Sequence, residues 1–220
     1  MANFYKYTKA GDLIETFTST RNGDITYMGG GDFLLGVVSQ GVYRFRIEGT
    51  AFAEQEKLVD FSGGVYSLNS CVGVEFRGKE ICVNVVENSL PAKSHIEIYD
   101  WTGDRNARYQ FANNDTRDGL TFDGKYFWTW NRTSSPDELE QVRIEGSTAF
   151  VEATFGSSFN ALVATGWDGK YLWMPLNSSG AGHPIAQVDT KGKIEGSFSH
   201  GISNKQGVCT DGKYIYVISN

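Results

Sequence analysis

Asp24, Asp118, Asn160 and Gln206 are the residues whose types and spacing could do chemistry. Each opens an extended segment, in Asn22-Gly23-Asp24-Ile25, Arg117-Asp118-Gly119, Phe159-Asn160-Ala161 and Lys205-Gln206-Gly207. A fifth segment of the same kind, Gly63-Gly64-Val65, has no polar residue there. Two carboxylates and two amides brought together would hold a small polar ligand, such as a sugar, or an ion. Asp and Asn also favour such places as plain turn residues, because their side chains cap nearby backbone groups. Cleavage of a glycoside would need two carboxylates, one protonated and one ionised, about 5 to 9 Å apart. Asp24 and Asp118 are the only clear acids in the set, and an intervening repeat separates them.

The other reactive residue types offer less. His95 and His183 lie two repeats apart, too far to share a metal, and the histidines (His200 is the third) are expected in solvent-exposed loops. The three cysteines, Cys71, Cys82 and Cys209, are an odd number. Without a Cys-x-x-Cys or a nearby His pair they fit no zinc motif. Cys71 and Cys82 flank the Gly78 turn and could face each other across a hairpin; otherwise they read as reduced thiols or small buried hydrophobes. The chain has no Gly-x-Ser-x-Gly elbow, so Ser-His-Asp catalysis has no support. Neither a cofactor nor a metal is expected.

The elements that must position these residues come from two interleaved glycine series. Gly31, Gly78, Gly124, Gly169 and Gly212 are separated by 47, 46, 45 and 43 residues, subtracting neighbouring positions. The last three head nearly identical turns: Asp123-Gly124-Lys125-Tyr126, Asp168-Gly169-Lys170-Tyr171 and Asp211-Gly212-Lys213-Tyr214. A fixed period in this range marks a repeat architecture. Gly11, Gly49, Gly103, Gly146 and Gly192 form the second series. Each follows an apolar-alternating run such as Phe4-Tyr5-Lys6-Tyr7 or Ile96-Glu97-Ile98-Tyr99, which reads as a half-buried strand. The chain is therefore a succession of two kinds of hairpin, with four strands to a repeat. The N-terminus opens with one half-repeat and the C-terminus closes with the other, and two half-repeats left apart would expose open strand edges. Residues 3–18 and 206–220 are predicted to share a sheet. No linker interrupts the chain, so residues 1–220 are expected to form one domain.

Gly119-Leu120-Thr121-Phe122-Asp123-Gly124-Lys125-Tyr126-Phe127-Trp128 and Gly207-Val208-Cys209-Thr210-Asp211-Gly212-Lys213-Tyr214-Ile215-Tyr216 resemble the blades of NHL and YVTN β-propellers. The resemblance covers the whole chain and is specific to architecture. It implies an all-β β-propeller with four antiparallel strands per blade; such families usually have six or seven blades, and the five copies here argue for a smaller, five-bladed β-propeller, closed by pairing of the N- and C-terminal hairpins. In a propeller the innermost strands line a central channel. Asp24, Asp118, Asn160 and Gln206 would then rim one of its mouths.

The aromatic residues recur with the repeats. Tyr126, Trp128 and Trp130 share one side of their strand and Phe127 takes the other. Trp128 and Trp173 are expected to fill the wedge between blades. Trp101 and Trp167 stand in turns, on the face away from the Asp24 and Asp118 rim, and are candidate contacts for a protein or glycan. The loops at 88–95, 131–138 and 177–184 are rich in Ser, Asn, Gly and Pro, the composition of recognition loops on a rigid scaffold. Asn131-Arg132-Thr133 and Asn177-Ser178-Ser179 match glycosylation acceptors by chance.

The net charge of −6 disfavours nucleic acid and anionic lipid. The charges are scattered, as expected of solvated exteriors. No run is long enough to cross a membrane and no signal peptide opens the chain, which points to a cytoplasmic protein or a particle component. The reading that follows is a non-enzymatic recognition or assembly module. Its partner is a protein or an assembly neighbour, as in a virion or tail. A carbohydrate-binding lectin and a propeller glycosidase are the alternatives.

Overall fold

The computed structural model describes residues 2–61, 70–87, 93–134, 137–156, 160–161, 164–177, 184–199 and 205–219; at 70–72, 156, 160–161, 177 and 205–206 it describes the backbone. These residues form strands and turns, and no helix occurs among them. The first hairpin is β1 (Ala2–Thr8) and β2 (Leu13–Ser19). Then come β3 (Asp24–Gly29), β4 (Asp32–Val37), β5 (Gly41–Glu48) and β6 (Ala51–Asp60). The next run is β7 (Ser70–Arg77), β8 (Glu80–Glu87), β9 (Lys93–Tyr99) and β10 (Arg105–Phe111). It is followed by β11 (Arg117–Phe122), β12 (Phe127–Asn131), β13 (Glu138–Glu145) and β14 (Thr148–Gly156). The last full run holds two short pieces, β15 (Asn160–Ala161) and β16 (Gly166–Trp167), with β17 (Leu172–Asn177), β18 (Ile185–Val188) and β19 (Ile194–Phe198). The chain closes with β20 (Lys205–Thr210) and β21 (Tyr214–Ser219).

Within each run, consecutive strands pair antiparallel, except that β15 and β16 both pair with β17. The chain ends meet as the half-repeats require: β1 pairs β21 with Phe4 opposite Ile218, giving the order β20-β21-β1-β2. The first strands of the runs lie side by side in a closed cycle, β20 beside β3, then β7, β11, β16 and β20 again. Their backbones nearly touch. A Cβ on Gly73 would come within 2.4 Å of the Gly119 backbone, and one on Gly207 within 2.5 Å of the Gly23 carbonyl. Glycine at these positions lets the inner strands close up tightly.

One expectation is corrected. The hydrogen bonding does not give five separate four-stranded sheets, but two of eight strands and one of five. The cause is at the outer rim. β2 pairs parallel with β6 at Thr18↔Ala51 and Ser19↔Phe52, and β10 with β14 at Gln110↔Thr148 and Phe111↔Ala149. Two residues at each rim contact merge neighbouring runs.

Five apolar cores are wedged between successive runs. Phe4, Phe17, Phe33, Phe45 and Phe52 fill the first, with Phe4 and Phe52 stacked at 4.0 Å. Trp128 and Trp130 fill the fourth with Leu172 and Met174; Trp173 fills the last with Tyr7 and Val208. Each buried ring removes about 150–250 Å² from water. Because the inner strands of each run are packed on both faces, while the outermost strands face solvent, polar side chains within the inner strands are buried too. Cys82 lies opposite Glu75 and Cys71 opposite Val85, so the register holds the two cysteines apart rather than face to face.

Candidate functional site

Turns of both glycine series are capped by a short side chain at their head, at Thr8, Asp100, Asp123, Asp168, Asp189 and Asp211. In the Asp-Gly-Lys-Tyr turns, Asp123 Oδ1 accepts the Lys125 and Tyr126 amides, and its Oδ2 accepts Trp128 Nε1 at 2.8 Å. Asp168 and Asp211 repeat this, with Trp173 Nε1 and the Tyr216 hydroxyl as the ring donors. The aromatic five residues on is thus both core and clamp. In the second series Asp100 and Asp189 cap their own turns the same way.

The Asp100 turn carries Trp101, which is 38% exposed. Its ring meets Phe76 edge-on at 6.2 Å. With Met28, Gly78 and Lys79 these rings line a hollow of about 300 Å³. Met28 and Phe76 sit near the ends of β3 and β7, whereas Asp24 begins β3; the hollow therefore lies at the opposite end of the inner strands from Asp24. The Lys79 ammonium has no ion-pair partner among the described residues, so the hollow has apolar walls and one free cation.

Asp24 and Asp118 are each only 3% exposed. Asp24 Oδ2 accepts the Val74 amide at 2.9 Å from the neighbouring run, while Oδ1 has no hydrogen-bond partner among the described residues. Beside it stands a carboxylate that strand periodicity hides, Glu75. Its oxygens accept the hydroxyls of Thr26 and Thr121 at 2.8 and 2.6 Å, and the amides of Phe76 and Phe122. Burial pushes Asp24 well above the usual carboxylate range, against the opposing pull of the Val74 amide; burial raises Glu75 as well. Asp118 is raised by burial too, and Arg132 Nη1, 2.6 Å from Oδ2, works in the other direction. Glu75 is saturated with donors and Asp118 is ion-paired. Neither is free to work as a partner acid to Asp24.

Asn160 heads β15, opposite Asn177, and Gln206 lies in β20; their side chains fall outside the described residues. Trp167 is half-buried and packs against the core of Trp128 and Leu172, unlike Trp101. His95 is not the exposed loop residue expected. It is buried in β9, with Nε2 3.3 Å from Glu97 Oε1, because that strand is packed on both faces. His183 and His200 lie outside the described residues. Charges expected on solvated exteriors are also partly internal: Arg117, buried, pairs with Glu140 at 2.6 Å and lies over the Phe111 ring. Among the described residues no three His, Cys, Asp or Glu side chains are grouped to hold a metal, and no helix is long and apolar enough to cross a membrane.

No protein-family model and no curated protein matches this sequence. Solved structures do match its fold. An exo-β-1,3-galactanase from Phanerochaete chrysosporium with galactose superposes with a TM-score of 0.59 at 9% identity, over 96% of this chain and 62% of that one. The nidogen/laminin complex gives 0.58 at 13% identity, over 99% and 85%. Regucalcin, a calcium-binding protein from Agrobacterium tumefaciens, gives 0.52 at 10% identity, over 88% and 74%. The chain spans about three fifths of the galactanase. At such identities the likeness establishes the fold alone: the chain is a β-propeller. The expectation of a chain that is not an enzyme is overturned here, because an enzyme shares this fold and the missing elbow motif excludes only one kind of chemistry.

Proposed function

We propose that the chain is a single-domain, five-bladed propeller of NHL/YVTN-like repeats that recognises a protein partner through its turn-bearing face. Five cores between five runs, and a cycle of five first strands, support that blade count. In this reading the two-residue rim pairings are contacts between blades. The observation that carries the function is Trp101, exposed above an apolar hollow floored by Phe76 and Met28. A half-exposed Trp beside an apolar cavity is the usual anchor point of a protein interface. The walls offer few partners for sugar hydroxyls, which favours a protein over a glycan at this place. A rigid scaffold of this kind suits an assembly component, such as part of a virion or tail.

The test is recovery of the partner from native material with the native protein and with Trp101→Ala. The reading expects one protein captured in stoichiometric amount by the native chain, with at least tenfold less captured by the variant. Equal capture by both would remove Trp101 from the interface. The alternative is a polar ligand site at the other mouth, at Asp24, Asp118, Asn160 and Gln206, where Asp24 Oδ1 is the carboxylate oxygen without a partner among the described residues.

A further inference from the structure

A separate cleft lies where the N-terminal hairpin meets the last full run of strands. It holds about 190 Å³ and is lined by Lys9 of the β1–β2 turn and by Trp173, Gln187, Gly196, Ser197 and Phe198. We propose that this cleft binds one neutral hexose unit.

Its size is below that of pockets for drug-sized ligands, which leaves room for a single small ring. Its one cation is already matched. Lys9 Nζ donates to Asp168 Oδ2 at 2.6 Å, and Trp173 Nε1 donates to the same oxygen at 2.9 Å. An anionic ligand finds no free charge there. What is left unused is the Gln187 amide and the Ser197 hydroxyl, neither of which has a side-chain hydrogen bond among the described residues. A carboxamide presents a donor and an acceptor side by side, the pattern that two adjacent sugar hydroxyls complement. Phe198, half-buried, supplies the aromatic surface for the C–H face of a sugar, with the buried Trp173 ring 6.3 Å behind it as the floor. Gly196 keeps the space beside Gln187 open, since a Cβ there would stand 3.4 Å from Oε1. Apolar walls with a few convergent polar groups are what small-molecule sites require. A ligand in this cleft touches both the first hairpin and the last full run, so it would also stabilise the closed chain.

The test is saturation-transfer NMR and thermal shift with free glucose, galactose, mannose and N-acetylglucosamine. The expected result is binding of at least one sugar by the native protein. Binding should be at least tenfold weaker in Gln187→Leu, which keeps the side-chain bulk, and in Gly196→Val, which fills the cleft. Trp101→Ala should bind as the native chain does, which separates this site from the protein-binding face. Should Gln187→Leu fail to fold, Gly196→Val decides. Absence of binding to every sugar, undiminished binding in the folded cleft variants, or loss of binding in Trp101→Ala would each overturn the proposal.

Discussion

Asp168 accepts the ammonium of Lys9 at 2.6 Å across 159 residues of sequence, tying the first hairpin to the last full run of strands. The carboxylate is almost fully buried, the lysine about one-third exposed. Burial alone would raise Asp168, but Lys9, Trp173 Nε1 and the Tyr171 and Lys170 amides outweigh it and hold the carboxyl below its ordinary range. A depressed folded value adds stability above the unfolded pKa and loses it as pH falls through the folded one. Lys9→Met should cost about 1 kcal/mol, and Asp168→Ala about 3 kcal/mol because it also removes the turn caps and the Trp173 acceptor. One kcal/mol corresponds to about 2–4 °C in Tm at this size. Calorimetry checks both, and the gap between native and Lys9→Met should narrow below about pH 4.

Asp24 has the opposite sign. Its folded pKa is raised by burial, so its contribution is complete in acid and is lost as pH rises through the raised value. Glu75 beside it, also raised by burial, acts in the same direction. Asp24→Asn keeps the carbonyl that accepts the Val74 amide and removes the charge. The variant's stability, followed by denaturant titration, should be flatter than the native protein's from about pH 4 upward, with the native chain the one that weakens. A native curve that rises through neutral pH would contradict this assignment.

Gly11 and Gly124 share a backbone angle, φ +98° and +97°, but not their surroundings. A Cβ on Gly11 would come within 2.5 Å of Phe198, whereas one on Gly124 meets open space. Gly124→Ala should cost only the strain of a left-handed residue, about 1 kcal/mol. Gly11→Ala should cost a further 1–3 kcal/mol through overpacking at the seam. Equal losses in chemical denaturation would show that the seam yields freely.

Cys82 and Cys209 are buried, and burial pushes both thiols up. Mass spectrometry after alkylation should find neither modified in the native protein and both modified in denaturant. The thiolate is the reactive form, and neither solvent nor reagent reaches these sulfurs.

Much of this architecture was legible in the sequence because its strongest signals are turns. Gly124 and Gly103 each need a positive φ, and Asp123 and Asp100 each cap a turn, so both hairpin kinds recur visibly. Pairing of the chain ends followed from the two half-repeats and appears as Phe4 opposite Ile218. Glu75, Glu97, His95 and Arg117 were not legible. Period-two alternation assigns a residue to one side of a strand, and a charge on the second side reads as solvated. Here the second side of each inner strand faces another sheet or the axis, so the same pattern describes buried polar groups. The signal that could have found Glu75 and Glu97 is their setting, Val74-Glu75-Phe76 and Ile96-Glu97-Ile98, in strands too apolar for a wet face. The merging of sheets at Thr18↔Ala51 and Gln110↔Thr148 rests on two-residue contacts that leave no mark in the sequence.

The claim that Trp101 marks the recognition face is tested most directly by a photo-crosslinking residue placed at position 101, with Lys125, on another turn of the same face, as the control position. After irradiation in native material, position 101 should join one discrete protein in high yield and position 125 much less. Labelling that is equal at the two positions, or spread over many proteins at position 101, would contradict the account.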